Sequence, residues 1–175
     1  SISLDNQGNP HVSGHFSGTI NLDPNSSAGN YTFLNTGNIG NTDVFVAKYT
    51  ANGSFIWGKH FGGTMRLLNA GIGVDNSGNV YSTGHFHGTI DFNPGSAVYD
   101  VTSVGGFDIY LSKLDVNGNF VAAARIGGSE TDYVQGMTIS SNENIYLTGY
   151  YFGTSDFDPG EGTHYVTSIG AEIGR

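Results

Sequence analysis

The chain has 175 residues, of which 28 are glycine, 13% are aromatic, 12% are charged and none is cysteine. Its net charge of −9 excludes nucleic acid and anionic membrane surfaces as favourable partners, because their phosphate groups would be repelled. The absence of cysteine excludes disulfides and thiolate metal sites.

Three related copies of one pattern follow each other along the chain. Their best-matching parts are 8–25 (GNPHVSGHFSGTINLDPN), 78–95 (GNVYSTGHFHGTIDFNPG) and 143–160 (ENIYLTGYYFGTSDFDPG). A second block, at 43–63, recurs 65 residues later at 108–128. The first copy is five residues longer than the second, and repeats of this length indicate one supersecondary unit per copy.

Short runs of β-branched and aromatic residues, separated by Gly, Asn and Asp, predict four strands in each complete repeat. In order a, b, c, d, the predicted strands are 2–4, 11–16, 44–49 and 55–61, then 72–74, 80–87, 109–114 and 120–126, then 137–139 and 145–152. The Asn-Gly pairs at 52–53 and 117–118 predict tight c–d hairpins. Glu143 replaces the glycine of the other a–b turns, so we expect that turn to differ.

Four antiparallel strands in 65 to 70 residues are typical of a β-propeller blade. The predicted fold class is therefore all-β, a propeller with about two and a half four-stranded blades. We divide the chain into blade 1 at 1–70, with a b–c loop insertion at about 25–41, blade 2 at 71–135, and a partial blade 3 at 136–175. The apolar set predicted to be buried in blade 2 is Ile72, Val74, Tyr110, Leu111, Phe120 and Val121.

The segments GIGVDNSGNVYSTG at 71–84, GFDIYLSKLDVNGNF at 106–120 and IGGSETD at 126–132 resemble the bacterial SBBP repeats, a β-propeller family. The resemblance covers nearly the whole chain outside the inserted loop and the last residues. It implies an extracellular or cell-surface bacterial protein, usually much larger than this chain, and it implies no shared reaction. We expect the remaining blades to come from a longer chain or from other protein chains.

The acidic loops after strand b are the strongest candidate site. Oxygen-bearing side chains alternate there before a Pro: Asn21 and Asp23, Asp91 and Asn93, Asp156 and Asp158. Alternating oxygens are the opening spacing of calcium loops, which makes calcium the predicted cofactor if one is present. The alternative is an Asx turn, in which each side chain accepts backbone N–H groups.

Other constellations favour structural interpretations. His85 and His87 supply two metal ligands on one strand face without a visible third. Glu130 and Asp132 lie in an exit loop, where solvation is the simpler interpretation. Phe55, Phe61, Phe86, Phe92 and Phe157, with Trp57, favour packing between blades over a carbohydrate platform.

No catalytic signature is present, so we expect a non-catalytic binding or structural module rather than an enzyme. Two alternatives remain open: a polysaccharide hydrolase or lyase with acids on the propeller rim, which rests on fold analogy alone, and a subunit of a surface filament or adhesin. Carbohydrate is the alternative ligand to protein.

Overall fold

The computed structural model describes residues 1–23, 25, 31–35, 41–63 and 65–169. Within them the chain forms short strands joined by turns. The strands are β1 (Ile2–Leu4), β2 (Pro10–Phe16), β3 (Thr19–Asn21), β4 (Thr32–Leu34), β5 (Asp43–Tyr49), β6 (Phe55–Gly63), β7 (Leu67–Val74), β8 (Val80–Phe86), β9 (Thr89–Asp91), β10 (Asp100–Thr102), β11 (Asp108–Leu114), β12 (Phe120–Gly128), β13 (Asp132–Ile139), β14 (Ile145–Tyr151), β15 (Thr154–Asp156) and β16 (Tyr165–Thr167).

Two sheets of six strands make up most of the fold. The first sheet has the order β1-β2-β5-β6-β9-β10, and the second has the order β7-β8-β11-β12-β15-β16. In each sheet the first four strands are the predicted a, b, c and d of one repeat, paired antiparallel. The all-β prediction and its four-stranded antiparallel unit are therefore confirmed. The strands β13 and β14 pair as a and b of the third repeat, and the residue bounds assigned to the blades stay a prediction.

Each b–c connection contains a hairpin that the sequence did not reveal. The hairpin β9–β10 belongs to the second repeat but pairs with β6, the outer strand of the first. The hairpin β15–β16 of the third repeat pairs with β12 of the second in the same way. We call this arrangement hairpin docking, and it joins neighbouring repeats through backbone hydrogen bonds.

Glycine pairs at the ends of the outer strands make the docking possible. The pairs Gly62↔Asp91 and Gly63↔Ile90 recur as Gly127↔Asp156 and Gly128↔Ser155. A Cβ on Gly62 would collide with the Asp43 carboxylate, and a Cβ on Gly128 would collide with the Thr154 carbonyl oxygen. The first glycine therefore makes room for an aspartate of its own repeat, and the second makes room for the incoming hairpin.

The hydrophobic core lies mainly between the first two repeats. It contains side chains from β5 and β6 of the first repeat, from strands of the second, and from the loop after β9. They are Val44, Val46, Trp57, Phe61, Leu67, Ile72, Val80, Phe86, Ile90, Phe92, Tyr110, Leu114 and Ala123. Trp57 also donates from Nε1 to the Val116 carbonyl, 3.1 Å away, in the c–d turn of the second repeat.

Most of the predicted buried set of the second repeat is inside the protein. Ile72 and Tyr110 are buried, whereas Val74, Leu111 and Phe120 are partly buried. Val121 is 49% exposed, so that prediction was wrong. The strand register skips it, because Leu114 pairs with Phe120 and Lys113 with Ala122. Val121 is thus the extra residue of a β-bulge.

Three of the a–b and c–d turns share one geometry built by an aspartate. Asp75 Oδ1 accepts the backbone N–H groups of Ser77 and Asn79, at 3.0 and 2.8 Å, while Gly78 takes a φ of 82°. The turns at Asp5 and Asp115 repeat these bonds. This side-chain bridge holds each turn in place, and the positive φ explains the glycine.

The turn at Glu143 has the same geometry, so the expectation that it differs was wrong. The Glu143 N–H donates to the Ser140 carbonyl at 2.9 Å, as the Gly78 N–H does to the Asp75 carbonyl at 3.0 Å. Glu143 adopts a φ of 63°, a conformation that its Cβ makes unfavourable. The surrounding strands therefore impose the glycine conformation on a glutamate.

We expect Glu143→Gly to stabilise the protein by about 1 kcal/mol, because it removes the Cβ from a left-handed position. The reciprocal control is Gly8→Glu, where φ is 79° and nothing lies within 4 Å of the position that a Cβ would take. That variant should lose stability by a similar amount. Urea unfolding measures both changes, and a Glu143→Gly variant less stable than the wild type would contradict the assignment of strain.

Asparagine side chains link the a–b turns of successive repeats. Asn6 Nδ2 donates to the Asn76 carbonyl at 3.4 Å, and Asn76 Nδ2 donates to the Ser141 carbonyl at 3.2 Å. The same asparagine-to-carbonyl hydrogen bond therefore joins the first repeat to the second and the second to the third. Among the described residues, no helix is long and apolar enough to cross a membrane.

Candidate functional site

The middle acidic loop is closed by two overlapping Asx turns. Asp91 Oδ1 accepts the N–H groups of Asn93 and Tyr99, both at 2.9 Å. Asn93 Oδ1 accepts the N–H of Gly95 at 2.8 Å. The two oxygens proposed as metal ligands therefore organise the loop backbone.

The third acidic loop repeats this geometry. Asp156 Oδ1 accepts N–H groups from His164 at 2.7 Å and Asp158 at 3.1 Å, and Asp158 Oδ1 accepts that of Gly160 at 2.8 Å. The bond from His164, followed by that from Asp158, lowers the pKa of Asp156. In the first loop, Asn21 Oδ1 accepts the Asp23 N–H at 3.0 Å, and residues 24 and 26–30 lie outside the described residues.

These contacts bear on the calcium hypothesis. The side-chain oxygens face backbone N–H donors, whereas calcium requires six to eight oxygen ligands. No three His, Asp or Glu side chains converge on a metal position in the part of the chain that the structure describes. The described loop atoms therefore fit an Asx turn better than a calcium shell, and calcium binding stays a prediction.

Thermal unfolding in calcium and in chelator tests it. If calcium binds the folded loops, the melting temperature rises with the logarithm of free calcium, and Asp158→Asn weakens the effect more than Asn93→Ala. Identical melting curves in calcium and in chelator would contradict calcium binding.

The third loop forms one wall of an open groove of about 570 Å³. The opposite wall is β10 with Tyr99, and the floor is the outer strand β12. The lining residues include Tyr99, Asp100, Arg125, Asp156, Asp158 and Tyr165. The small side chains of Ala123 and Ala124 form part of its floor. It combines two tyrosines with three acids around one arginine.

Arg125 anchors the groove floor through a buried ion pair. Its guanidinium donates to Asp108 Oδ2 at 2.9 Å, and the Val104 N–H donates to the same oxygen at 3.0 Å. Asp108 is fully buried, and this burial raises its pKa although both bonds oppose the shift. The recurrence of an aspartate before strand c, at Asp43 and Asp108, was the sequence signal for this pair.

Asp132 lies beneath the docked hairpin rather than in solvent. It is 1% exposed, so the prediction of a solvated exit loop was wrong for this residue, while Glu130 is exposed as expected. The Asp132 carboxylate accepts the Gly128 N–H at 2.9 Å and the Ser155 hydroxyl at 2.6 Å. Leu67 occupies the same position in the first repeat, and no recurring pattern therefore marked Asp132 in the sequence.

A family model described as a β-propeller repeat, SBBP, matches residues 123–150. This segment of the chain is therefore similar to the SBBP β-propeller repeat. The matched segment runs from the groove floor in β12 through β13 to the end of β14. It thus includes Arg125 and Asp132 and crosses the junction between the second and third repeats.

The chain is also similar to an uncharacterized WD repeat-containing protein of Acanthamoeba polyphaga mimivirus. The two are 28% identical over 140 residues, which is 66% of this chain and 10% of the relative. The chain therefore spans about a tenth of that relative's length. Similarity to a WD repeat-containing protein is consistent with the propeller architecture.

His85 and His87 take part in aromatic packing. His85 lies between Tyr133 and Phe107, with ring centroids 4.7 and 5.5 Å away, and His87 packs against Phe107 at 5.9 Å. Burial lowers the pKa of His85 to about 4. The geometry favours the packing interpretation over the metal interpretation of this pair.

Asp43 is the counterpart of Asp108 in the first repeat, and His60 takes the place of Arg125. His60 Nε2 lies 3.7 Å from Asp43 Oδ2, and burial lowers the pKa of His60. Burial raises the pKa of Asp43 from 3.8 to about 6, and interaction with the Gly63 N–H reduces the shift. The first repeat therefore holds a buried carboxyl with a weaker partner.

This shift predicts a pH dependence. Between pH 3.8 and about 6 the folded protein retains a proton that the unfolded chain releases, so stability falls as pH rises. The contribution is complete below about pH 4 and is lost through pH 6, and its full size is about 3 kcal/mol. Urea unfolding from pH 4 to 7 should show a flatter profile for Asp43→Asn than for the wild type. Equal slopes would contradict this assignment.

Proposed function

We propose that the chain is a non-catalytic β-propeller segment that acts as a binding or structural module and is completed by further blades or by partner chains. The observation that carries this proposal is the exposed apolar surface of the third repeat. Its large exposed side chains are Tyr146, Tyr150, Phe152, Phe157, Tyr165 and Val166. Phe157 is 37% exposed, whereas its counterpart Phe92 in the second repeat is fully buried. Such a surface is typical of a repeat without its neighbour.

Light scattering over a range of protein concentrations tests this proposal. We expect the chain to associate, and Tyr150→Ser combined with Phe152→Ser to reduce the association. The matched control is Val98→Ser with Val104→Ser, two residues that are 70% and 61% exposed in the second repeat. A compact monomer with a sharp melt that is independent of concentration would contradict the proposal, as would equal effects of both double variants.

The absence of enzymatic activity is part of this proposal. Asp91 and Asp156 are occupied in Asx turns of separate loops, and Asp108 and Asp132 are buried. A glycoside hydrolase requires two carboxyl groups that face the scissile bond from opposite sides. Screening polysaccharides for cleavage should give background rates. Turnover abolished by Asp91→Asn or Asp156→Asn would overturn the binding role in favour of a hydrolase or lyase.

The groove between the hairpins is the proposed ligand surface. Tyr99 and Tyr165 are 43% and 65% exposed, and tyrosine supplies contact area with little loss of side-chain entropy. The surrounding acids and the net charge of −9 favour a basic protein segment as ligand, with carbohydrate as the alternative. Titration with a lysine-rich peptide and with neutral oligosaccharides distinguishes the two classes, and Tyr165→Ser should weaken the true ligand. Binding of neither class would contradict the role of the groove.

An assembly role is the second candidate. Ile2 and Leu4 at one end are 65% and 62% exposed, and the aromatic surface lies at the other end of the repeat series. Two different exposed surfaces allow head-to-tail association, which gives rings or filaments. Electron microscopy of concentrated protein would show filaments if this role is correct, and discrete particles if it is not. An extracellular or cell-surface location follows from the family resemblance alone and is tested by fractionation of the source cells.

A further inference from the structure

We propose that the hairpin β3–β4 is a docking element for the outer strand of another blade, and that this strand ends in Gly-Gly beside a buried aspartate. The hairpin is equivalent to β9–β10 and β15–β16: Thr19, Ile20 and Asn21 correspond to Thr89, Ile90 and Asp91. Both equivalent hairpins pair with the outer strand of the preceding repeat. Among the described residues β3 pairs with β4 alone. The inference rests on the proposed completion by further blades and adds which surface meets which strand.

Burial supports the same conclusion independently. The central residue of a docked hairpin is covered completely, because Ile90 and Ser155 are both 0% exposed. Ile20, at the same position of β3, remains partly exposed, and Leu34 of β4 is 59% exposed. An apolar residue on an unpaired strand edge favours pairing of that edge with another strand.

The two docked hairpins define the chemistry of the missing partner. The residue opposite the centre of each hairpin is a glycine, and a Cβ on Gly63 would lie 3.0 Å from the Thr89 carbonyl oxygen. The glycine before it is needed because a Cβ there would collide with the buried aspartate of strand c, Asp43 or Asp108. The partner of Ile20 is therefore a glycine preceded by a second glycine. Leu67 and the apolar Ile90 belong to the same buried core, whereas Asp132, at the position of Leu67 in the next repeat, accepts a hydrogen bond from Ser155. The apolar Ile20 therefore favours a partner blade of the first-repeat type.

A second copy of this chain is not the partner. The chain has two Gly-Gly strand ends, at 62–63 and 127–128, and both already pair with β9 and β15. The partner strand therefore comes from a blade outside these 175 residues. The relative of which the chain matches only 10% shows that a protein with similar sequence has ample length for further repeats.

Hydrogen exchange of the unmodified chain is the first test. We expect the amides of Thr19–Asn21 to exchange roughly ten times faster or more than those of Thr89–Asp91 and Thr154–Asp156, because an unpaired edge opens locally. Equal protection of the three hairpins, at any protein concentration, would overturn the proposal. Equal protection that arises only at high protein concentration would also overturn the proposal, because it would identify a second copy of this chain as the partner.

A fusion provides the second test. A copy of residues 1–70 placed before Ser1 puts its Gly63 as far ahead of Ile20 as Gly63 is ahead of Ile90. Ser17→Ala in the added copy gives the peptides that contain residue 17 a distinct mass in the two copies. We expect Thr19–Asn21 of the original chain to gain the protection of Thr89–Asp91. No gain in protection, whether the added blade folds or not, overturns the proposal.

The control fusion carries Gly63→Val in the added copy only. The atoms near a Cβ at this position all belong to the hairpin, namely to Thr89 and Ile90, so the substitution spares the added repeat itself. We expect strand 10–16 of the added copy, whose peptides carry Ser17→Ala, to stay protected while the gain at Thr19–Asn21 of the original chain disappears. A gain that persists in the control would show that pairing does not use the glycine and would overturn the proposal. Self-association of the unfused chain is a separate readout, so the failure of the proposed function would be recognised independently.

Discussion

Phe92→Ala is expected to destabilise the protein by about 3–5 kcal/mol, the usual cost of removing a buried phenylalanine. Phe92 is fully buried and contacts Tyr110, Phe86 and Phe61, with ring centroids 5.0, 5.7 and 6.0 Å away. Phe61 belongs to the first repeat and the other two rings to the second. The truncation therefore opens a cavity in the junction between repeats, where the surrounding strands have little freedom to close it.

The matched control for this prediction is Phe157→Ala, the same substitution in the third repeat. Phe157 is 37% exposed and has one described ring neighbour, Tyr151, at 5.0 Å. We expect a loss of no more than about 1.5 kcal/mol, because less contact area disappears. Urea unfolding at one fixed protein concentration measures both variants. Equal losses would contradict the assignment of Phe92 as the centre of the junction.

Arg125→Met is expected to destabilise the protein by about 3–5 kcal/mol, because it leaves the buried Asp108 carboxylate without its cation. Arg125 itself is 28% exposed, so much of the cost comes from Asp108 and little from the arginine. The Val104 N–H remains as a partner of Asp108. Protonation of Asp108 relieves the unpaired charge, and the loss should therefore be smaller at pH 4 than at pH 7.

A double-mutant cycle separates this effect from lost packing. Asp108→Asn removes the charge while keeping an oxygen acceptor, and the double variant Asp108→Asn with Arg125→Met should be more stable than Arg125→Met alone. A double variant whose loss of stability relative to the wild type equals the sum of the two single losses would show that the two residues act independently. That outcome would contradict the ion-pair explanation.

The four strands of each repeat could be predicted from the sequence because residues that are close in the chain determine them. Turn residues such as Asn52-Gly53 and alternating strand residues encode the four strands of each repeat and their antiparallel order. The Asx interpretation of the acidic loops also followed from local spacing. These features depend on residues within a few positions of each other.

Hairpin docking could not be predicted from the sequence in the same way. The strands β9 and β15 have three residues each, too short to give a strand signal, and they are stabilised by pairing with a strand of another repeat. The trace of hairpin docking in the sequence is the Gly-Gly pair that recurs at 62–63 and 127–128. Burial of Asp132 follows from that docking and was missed for the same reason.

Glu143 shows the opposite error, since a local rule was applied where neighbouring strands decide. A non-glycine residue at a turn position favours another turn, but β13 and β14 pair along their whole length and fix the geometry of the connection. The cost of the strained φ is small compared with the pairing that it allows. Tertiary context thus overrides the turn preference.

Nuclear Overhauser contacts across the docked hairpins test the central claim most directly. Hairpin docking between successive repeats predicts backbone contacts from Gly62 and Gly63 to Asp91 and Ile90, and from Gly127 and Gly128 to Asp156 and Ser155. If each hairpin instead folded onto the outer strand of its own repeat, Gly62 and Gly63 would contact Asn21 and Ile20. The first pattern is the predicted result, and the second would contradict the account.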